Sequence, residues 1–214
     1  MSLKKLKDKT KPKDSFFEKI VIKNLKIWII GGGIIFFLII IISGYFSYNE
    51  HKEKDDLAFF DKISISYHGV LAKNDEKGIK DIAINCKKLL ENTNNKFVKT
   101  LAYLYMGNIF QDLKEYHGAV NYYENFIGNS NDAALIILVR LNNGIAYEEI
   151  GMLDKAIENY DKALQISNPN YLEKEINLAK ARCFEKKGRI EEAKTIYNNL
   201  QDSEEAIYRL TNLP

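Results

Sequence analysis

The sequence is poor in residues that break, cross-link or ligate. Three prolines and twelve glycines in 214 residues exclude a collagen-like chain and a chain disordered by Pro/Gly bias. Two cysteines, Cys86 and Cys183, are too few for a disulfide scaffold. Three histidines, His51, His68 and His117, share no helical face with a Cys or Asp cluster, so their spacing builds neither a zinc site nor a His-based catalytic centre. Charge is missing altogether from residues 27–49. The only basic region is a short lysine tail, which argues against a nucleic-acid-binding domain.

What is present is divided. The formal charge of +2 is a sum of unlike parts. Residues 1–26 hold nine lysines against Asp8, Asp14 and Glu18, which gives +6. Residues 49–214 hold the remaining 22 basic groups against 26 acidic ones, which gives −4. Between them, residues 27–46 read I-W-I-I-G-G-G-I-I-F-F-L-I-I-I-I-S-G-Y-F. Twenty apolar residues match the helical length that crosses ~30 Å of hydrocarbon. Trp28 stands at one end and Tyr45 and Tyr48 at the other, where such rings favour the membrane–water boundary. A buried core helix seldom stays apolar around its whole circumference. A cleaved signal peptide has an apolar stretch of about 7–15 residues and an Ala-x-Ala-like exit. This run is longer, and its exit carries bulky Tyr45 and Phe46. No cysteine follows it to start a lipid-anchored chain.

The segment therefore reads as a permanent signal anchor. Positive flanks stay in the cytoplasm, so the N-terminus is expected inside and residues 49–214 outside. Gly31, Gly32 and Gly33 are a candidate docking notch for another membrane helix, because small residues let helices approach closely. The competing account is glycine that is merely tolerated in a span. Phe16, Phe17, Ile20 and Val21 among the tail lysines either lie on anionic headgroups or extend the anchor.

The rest of the chain repeats itself. Gly107, Gly144 and Ala181 are spaced by 37 and 37 residues. Phe110, Tyr147 and Phe184 follow at the same spacing, as do Ala119, Ala156 and Ala193, then Tyr123, Tyr160 and Tyr197. A small residue lets two helices cross closely, and the aromatic three positions later lies on the same face beside the crossing. Gly151 and Gly188 end the first helix of their units, where a left-handed residue is wanted; Lys114 holds that place in the first. Gly78 and Ala83 repeat the five-residue offset of Gly151 to Ala156, which predicts an earlier, degraded unit with helices over 63–72 and 78–90. Residues 202–212 read as a short closing helix, with Asp202 and Glu205 at capping-box spacing. Each hairpin cannot bury its apolar face alone, so neighbours must stack.

These columns resemble the tetratricopeptide repeat family. The cleanest match runs through Leu141, Gly144, Tyr147, Gly151, Ala156, Tyr160 and Ala163. The family's proline near the end of a unit has only Pro169 as an approximate counterpart, and the 37-residue period exceeds its 34, which points to longer turns near 129–132 and 168–171. The expected fold is all-α: one N-terminal transmembrane helix, then a solenoid of three to four helical hairpins and a closing helix. The expected divisions are a cytoplasmic tail (1–26), an anchor (27–48), a linker (49–56) and an extracytoplasmic repeat domain (57–214), with repeats near 60–94, 100–130, 137–167 and 172–201.

The resemblance implies a partner groove lined by the first helix of each unit. Its candidate residues are Leu104, Asn108, Gln111, Asp112, Leu141, Glu148, Glu149, Arg182, Glu185 and Lys186. Glu148 and Glu149 are either ligands for a basic segment or part of a solvated helix face. The family's carboxylate clamp for chaperone C-termini needs lysines and asparagines across successive units, and only Asn108 fits. No nucleophile–base pair or phosphate-cradling loop is indicated, so an enzyme, a cofactor and a small-molecule substrate are not expected. Cys86 and Cys183 are expected as buried thiols, with mixed disulfides to another protein the alternative. A basic inside tail, one span and an outer repeat domain together resemble the ancillary Sec translocon subunit family of bacteria. That resemblance implies contact with a channel subunit through the span, and with extracytoplasmic chaperones or emerging clients through the repeats. The competing expectations are a scaffold for envelope assembly (cell division, wall synthesis or a secretion apparatus), a small-ligand sensor, and an organelle import receptor with its repeats in the cytosol.

Overall fold

The computed structural model describes residues 25–166 and 172–213, with side chains from residue 33 onward. The lysine tail with Phe16, Phe17, Ile20 and Val21, the side chain of Trp28, and the turn expected near 168–171 lie outside the described residues. Among the described residues the structure is nine α-helices without a strand. They are α1 Leu25–Leu71, α2 Glu76–Asn92, α3 Lys96–Asp112, α4 Tyr116–Asn129, α5 Ala133–Glu149, α6 Leu153–Leu164, α7 Glu173–Lys186, α8 Ile190–Asn198 and α9 Glu204–Asn212. The chain divides into two compact units, Met1–Lys52 and Glu53–Pro214.

In the first unit, every residue of α1 from 33 to 48 is exposed. Ile34, Ile35, Phe36, Phe37 and Leu38 each leave about half or more of their surface uncovered. The helix is long and apolar enough to cross a membrane, by length and composition. Residues 49–56, expected as a linker, are helical. The alternating charges of N-E-H-K-E-K-D-D contain no proline or glycine to end a helix.

The second unit is a row of antiparallel hairpins: the end of α1 with α2, then α3 with α4, α5 with α6, and α7 with α8, closed by α9. Four turns share one mechanism. Asn74, Lys114, Gly151 and Gly188 adopt positive φ of 51°, 59°, 78° and 73°. The amide after each one reaches back five residues, as in Glu115 to the Phe110 carbonyl (2.8 Å), Met152 to Tyr147 (2.9 Å) and Arg189 to Phe184 (2.9 Å). This is the Schellman closure. Lys114 makes it despite its Cβ. Side chains cap two of the helices that open a hairpin, α3 and α5: Asn95 accepts from the amides of Phe97 and Val98, and Asp132 from that of Leu135.

The repeated columns make the crossings. Tyr123, Tyr160 and Tyr197 are fully buried, as are Ala119, Ala156 and Ala193. A Cβ at Gly107 would lie 2.4 Å from the Tyr123 ring, and one at Gly144 would lie 2.2 Å from that of Tyr160. The glycine exists because the tyrosine fills its place.

Two expectations change here. The left-handed turn residues are spaced 40, 37 and 37 residues apart, so the first hairpin follows a longer period than the others. Gly78, expected to open the second helix of its unit as the counterpart of Gly151, sits inside α2; its counterpart at 40 residues is Gly118, with Val70 and Phe110 each lying over the missing side chain. In that register Tyr67 and Ala83 stand where later units have Gly107 and Tyr123, so large and small have exchanged sides. The second change is at α9, where Ser203 rather than Asp202 is the cap and accepts from the Ala206 amide at 3.4 Å. Asp202 pairs with Lys174 at 2.9 Å.

Candidate partner-binding site

The opening helices α3, α5 and α7 present residues at 37-residue spacing along one side of the hairpin row. The side chains at 111, 148 and 185 have a structural duty: each accepts a hydrogen bond from the buried tyrosine twelve residues ahead. Tyr123 donates to Gln111 at 3.0 Å and to Asn108 at 2.8 Å. Tyr160 donates to Glu148 at 3.3 Å, and Tyr197 to Glu185 at 3.2 Å. A buried phenol needs a partner, and this row supplies one in every unit. Burial and the neighbouring Glu148 carboxylate push the Tyr160 hydroxyl well above its ordinary pKa.

Glu148 corrects an expectation. It was expected to be exposed, as a ligand for a basic segment or as part of a solvated helix face, but its side chain is 4% exposed and already paired. Lys186 lies 2.9 Å away and Arg182 3.4 Å away, both from the next unit. Burial pushes the Glu148 carboxyl up, but Lys186 and Arg182 together outweigh burial and hold it below its ordinary range. Glu185 repeats the arrangement one unit on, facing Arg209 of α9 at 3.3 Å, and Arg182 also reaches Glu205 at 3.5 Å. These ion pairs tie α5, α7 and α9 together. At the start of the hairpin row, Tyr67 donates to Asp112, which links α1 to α3.

Leu104 and Leu141 also fall short of their expected role. Both are 8% exposed and belong to the core. What this side offers to solvent is narrower: Asp112, Glu149 and Lys186 are exposed, while Asn108, Gln111, Arg182 and Glu185 are half-buried. Its charge is mixed rather than acidic. Gly33 is exposed with open space around it; the surroundings of Gly31 and Gly32 lie outside the described side chains.

A second feature was not foreseen. A cleft of about 340 Å³ opens between α4 and α6, floored by α5. Arg140, Asn143 and Tyr147 line it from α5, and Lys155, Glu158 and Asn159 from α6. Asn143 is 1% exposed, and among the described residues its Oδ1 is the buried side-chain oxygen or nitrogen without a hydrogen-bond partner. Leaving such a group unpaired costs about 1–3 kcal/mol. The sequence signal was a polar residue where the preceding unit has Met106, a buried apolar side chain.

Cys86 and Cys183 are free and buried, and burial raises both thiols to about 12. All three histidines are exposed. Among the described residues no group of three or more His, Cys, Asp or Glu is placed to hold a metal ion.

Comparison with known families agrees with this geometry. Models of the tetratricopeptide repeat match residues 140–170, and residues 101–130 and 178–211. The matched stretches begin within α3, α5 and α7 and run on through α4, α6 and α8. No curated protein matches the chain. Repeats of this family generally serve as non-enzymatic adaptors between proteins, and the helical array of this chain is a protein–protein interaction module carrying tetratricopeptide repeats.

Proposed function

We propose that this protein is a membrane-anchored adaptor, held in the cytoplasmic membrane by α1, with its tail inside and its repeat array outside. One observation carries the anchor: the uncharged segment of α1 leaves its large apolar side chains exposed around the whole helix, from Ile34 to Ile42. Water penalises such a surface by roughly 25 cal/mol per Å², and a bilayer removes the penalty. The nine lysines ahead of it orient the span by charge.

The array then binds protein partners on the side formed by α3, α5 and α7. The exposed set Asp112, Glu149 and Lys186 contacts them, with Asn108, Gln111, Arg182 and Glu185 at the margin. Glu148 positions Arg182 and Lys186 there and does not itself meet the partner. Among adaptors of this architecture, we assign the protein to association with the Sec protein-conducting channel, through Gly31, Gly32 and Gly33 in the span. Extracytoplasmic chaperones or emerging clients would then meet the array.

Photo-crosslinking in native membranes tests both halves. A probe at Gly32 is expected to capture a channel subunit, and a probe at Glu149 a soluble protein. No channel crosslink from the span would remove the translocon assignment. Protease digestion of intact cells tests the topology: residues beyond 49 should be cut from outside only after the outer barriers are opened.

A further inference from the structure

The chain enters the repeat unit at one end of the hairpin row, and that end has a surface of its own. α1 runs from Glu53 towards the turn at Asn74, and α2 returns beside it. The α2–α3 connection therefore comes back to the point of entry: Thr93 Oγ1 donates to Asp56 at 2.6 Å. Asp56 follows Tyr48, the last ring at the end of the apolar run, by eight residues. Eight residues reach about 29 Å when fully extended, so the covalent chain keeps Thr93 near the end of the span at any angle between the two units.

Just beyond Thr93, α3 opens with Lys96 and Phe97. Both are exposed, and Phe97 leaves 64% of its surface uncovered. The following unit has Ala133 and Ala134 in the same two places, with Asp132 as the cap in the place of Asn95. Apolar surface continues inward from Phe97, into a cleft of about 380 Å³ lined by Leu101, Phe126 and Leu135. Basic charge gathers in the same stretch of chain. Residues 85–99 hold Lys87, Lys88, Lys96 and Lys99 against Glu91, which gives +3, and these four lysines carry no ion pair among the described residues. In residues 49–57 four acidic groups face two lysines, so this end sums to +1. Residues 100–214 hold 12 basic groups against 17 acidic ones, which gives −5.

A large exposed ring among lysines suits the boundary of a bilayer, where the ring enters the headgroup layer and the ammonium groups reach lipid phosphates. We propose that this end of the repeat unit is a second membrane contact. Phe97 enters the headgroup layer of the bilayer that holds α1, and Lys87, Lys88 and Lys96 take the phosphates of its lipids. The contact rests on the reading of α1 as the anchor. Tethered this closely, the surface meets lipid at an effective concentration of order millimolar. A small patch then suffices for lipid, whereas a soluble partner would need a stronger one.

The test uses the full chain in bilayers that contain brominated phospholipid, which quenches tryptophan on contact. Trp28 is the chain's one tryptophan, and its quenching in the wild type reports the anchor. Phe97→Trp and Met152→Trp, each combined with Trp28→Phe, put the ring at this end and at an exposed turn of the other end. The F97W chain is expected to lose emission and shift to the blue, and the M152W chain to do neither. Adding Lys96→Gln to the F97W chain should lower the ratio of quenched to unquenched rings about fivefold where anionic lipid predominates, and raised salt should act in the same direction. Quenched Trp28 with equal emission from the F97W and M152W chains would overturn the contact and leave the anchor standing. So would an F97W signal indifferent to both Lys96→Gln and salt. A blue shift of the F97W chain without quenching would assign the patch to a second copy of this chain instead of lipid. Unquenched Trp28 would remove the anchor, and the contact with it.

Discussion

One methyl group at Gly144 tests the account of how the hairpins cross. Gly144→Ala places a Cβ 2.2 Å from a ring carbon of Tyr160, well inside contact distance. The ring cannot step aside cheaply: Tyr160 is fully buried and its hydroxyl is held by Glu148 at 3.3 Å. Overpacking of this kind costs about 1–3 kcal/mol. Displacing the phenol also weakens a hydrogen bond to a charged acceptor, worth about 1.5–3 kcal/mol when lost outright. Against this, replacing glycine by alanine inside a helix returns about 1 kcal/mol. The balance is a net loss of about 1–3 kcal/mol, or a melting temperature lower by roughly 2–12 °C for a chain of this size. Gly69→Ala is the matched control. It is also helical, but nothing lies within 4 Å of its missing side chain, so it should gain about 0.5–1 kcal/mol. Thermal melts of the full chain in detergent, followed by circular dichroism, read both. If G144A melts at or above the wild-type temperature while G69A behaves as expected, the tyrosine does not fill the glycine's place and the crossing argument fails.

The remaining predictions concern charge, thiols and a cap. Glu148 has a depressed pKa in the folded protein, so its contribution to stability is complete above the ordinary carboxylate value of 4.5 and is lost as pH falls below it. Glu148→Gln should therefore be less stable than wild type at pH 7, with the gap closing in melts taken from pH 5 towards pH 3; a gap that widens in acid contradicts the pairing with Arg182 and Lys186. Cys86 and Cys183, buried with thiols raised to about 12, should resist maleimide at pH 8 until denaturant is added, and rapid labelling of the native chain would show that they are accessible. Ser203→Ala removes the cap of α9 and should cost about 0.5–2 kcal/mol. Asp202→Ala should cost less, since its exposed partnership with Lys174 is a surface ion pair; the reverse order in melting temperature would return the cap to Asp202.

What was legible in the sequence was whatever repeats within one hairpin. Gly144 and Tyr160 belong to adjacent helices joined by a short turn, so their spacing carries the crossing directly, and three copies at 37 residues separate it from chance. The degraded first unit was found from the five-residue offset of Gly78 and Ala83 but misaligned, because Tyr67 and Ala83 reverse the large and small partners and the turn comes at Asn74. Contacts between hairpins were not legible. Glu148 lies on the helix side expected for a groove, and helical periodicity places it there correctly. Its burial comes from Arg182 and Lys186 of the next unit, 34 and 38 residues away, and periodicity within one helix has no term for that. Asn143 hides for the opposite reason. Beside Leu141 and Gly144 it looks like one polar residue among many, and only comparison down the column with Met106 marks it as out of place. In a repeat array the matched columns therefore report the scaffold, and particular function is to be sought where a column changes chemistry in one unit alone. By that criterion the chain departs from a general scaffold at the buried Asn143 of the central hairpin, and at the opening of α3, where Lys96 and Phe97 stand in the places that Ala133 and Ala134 hold in the next unit.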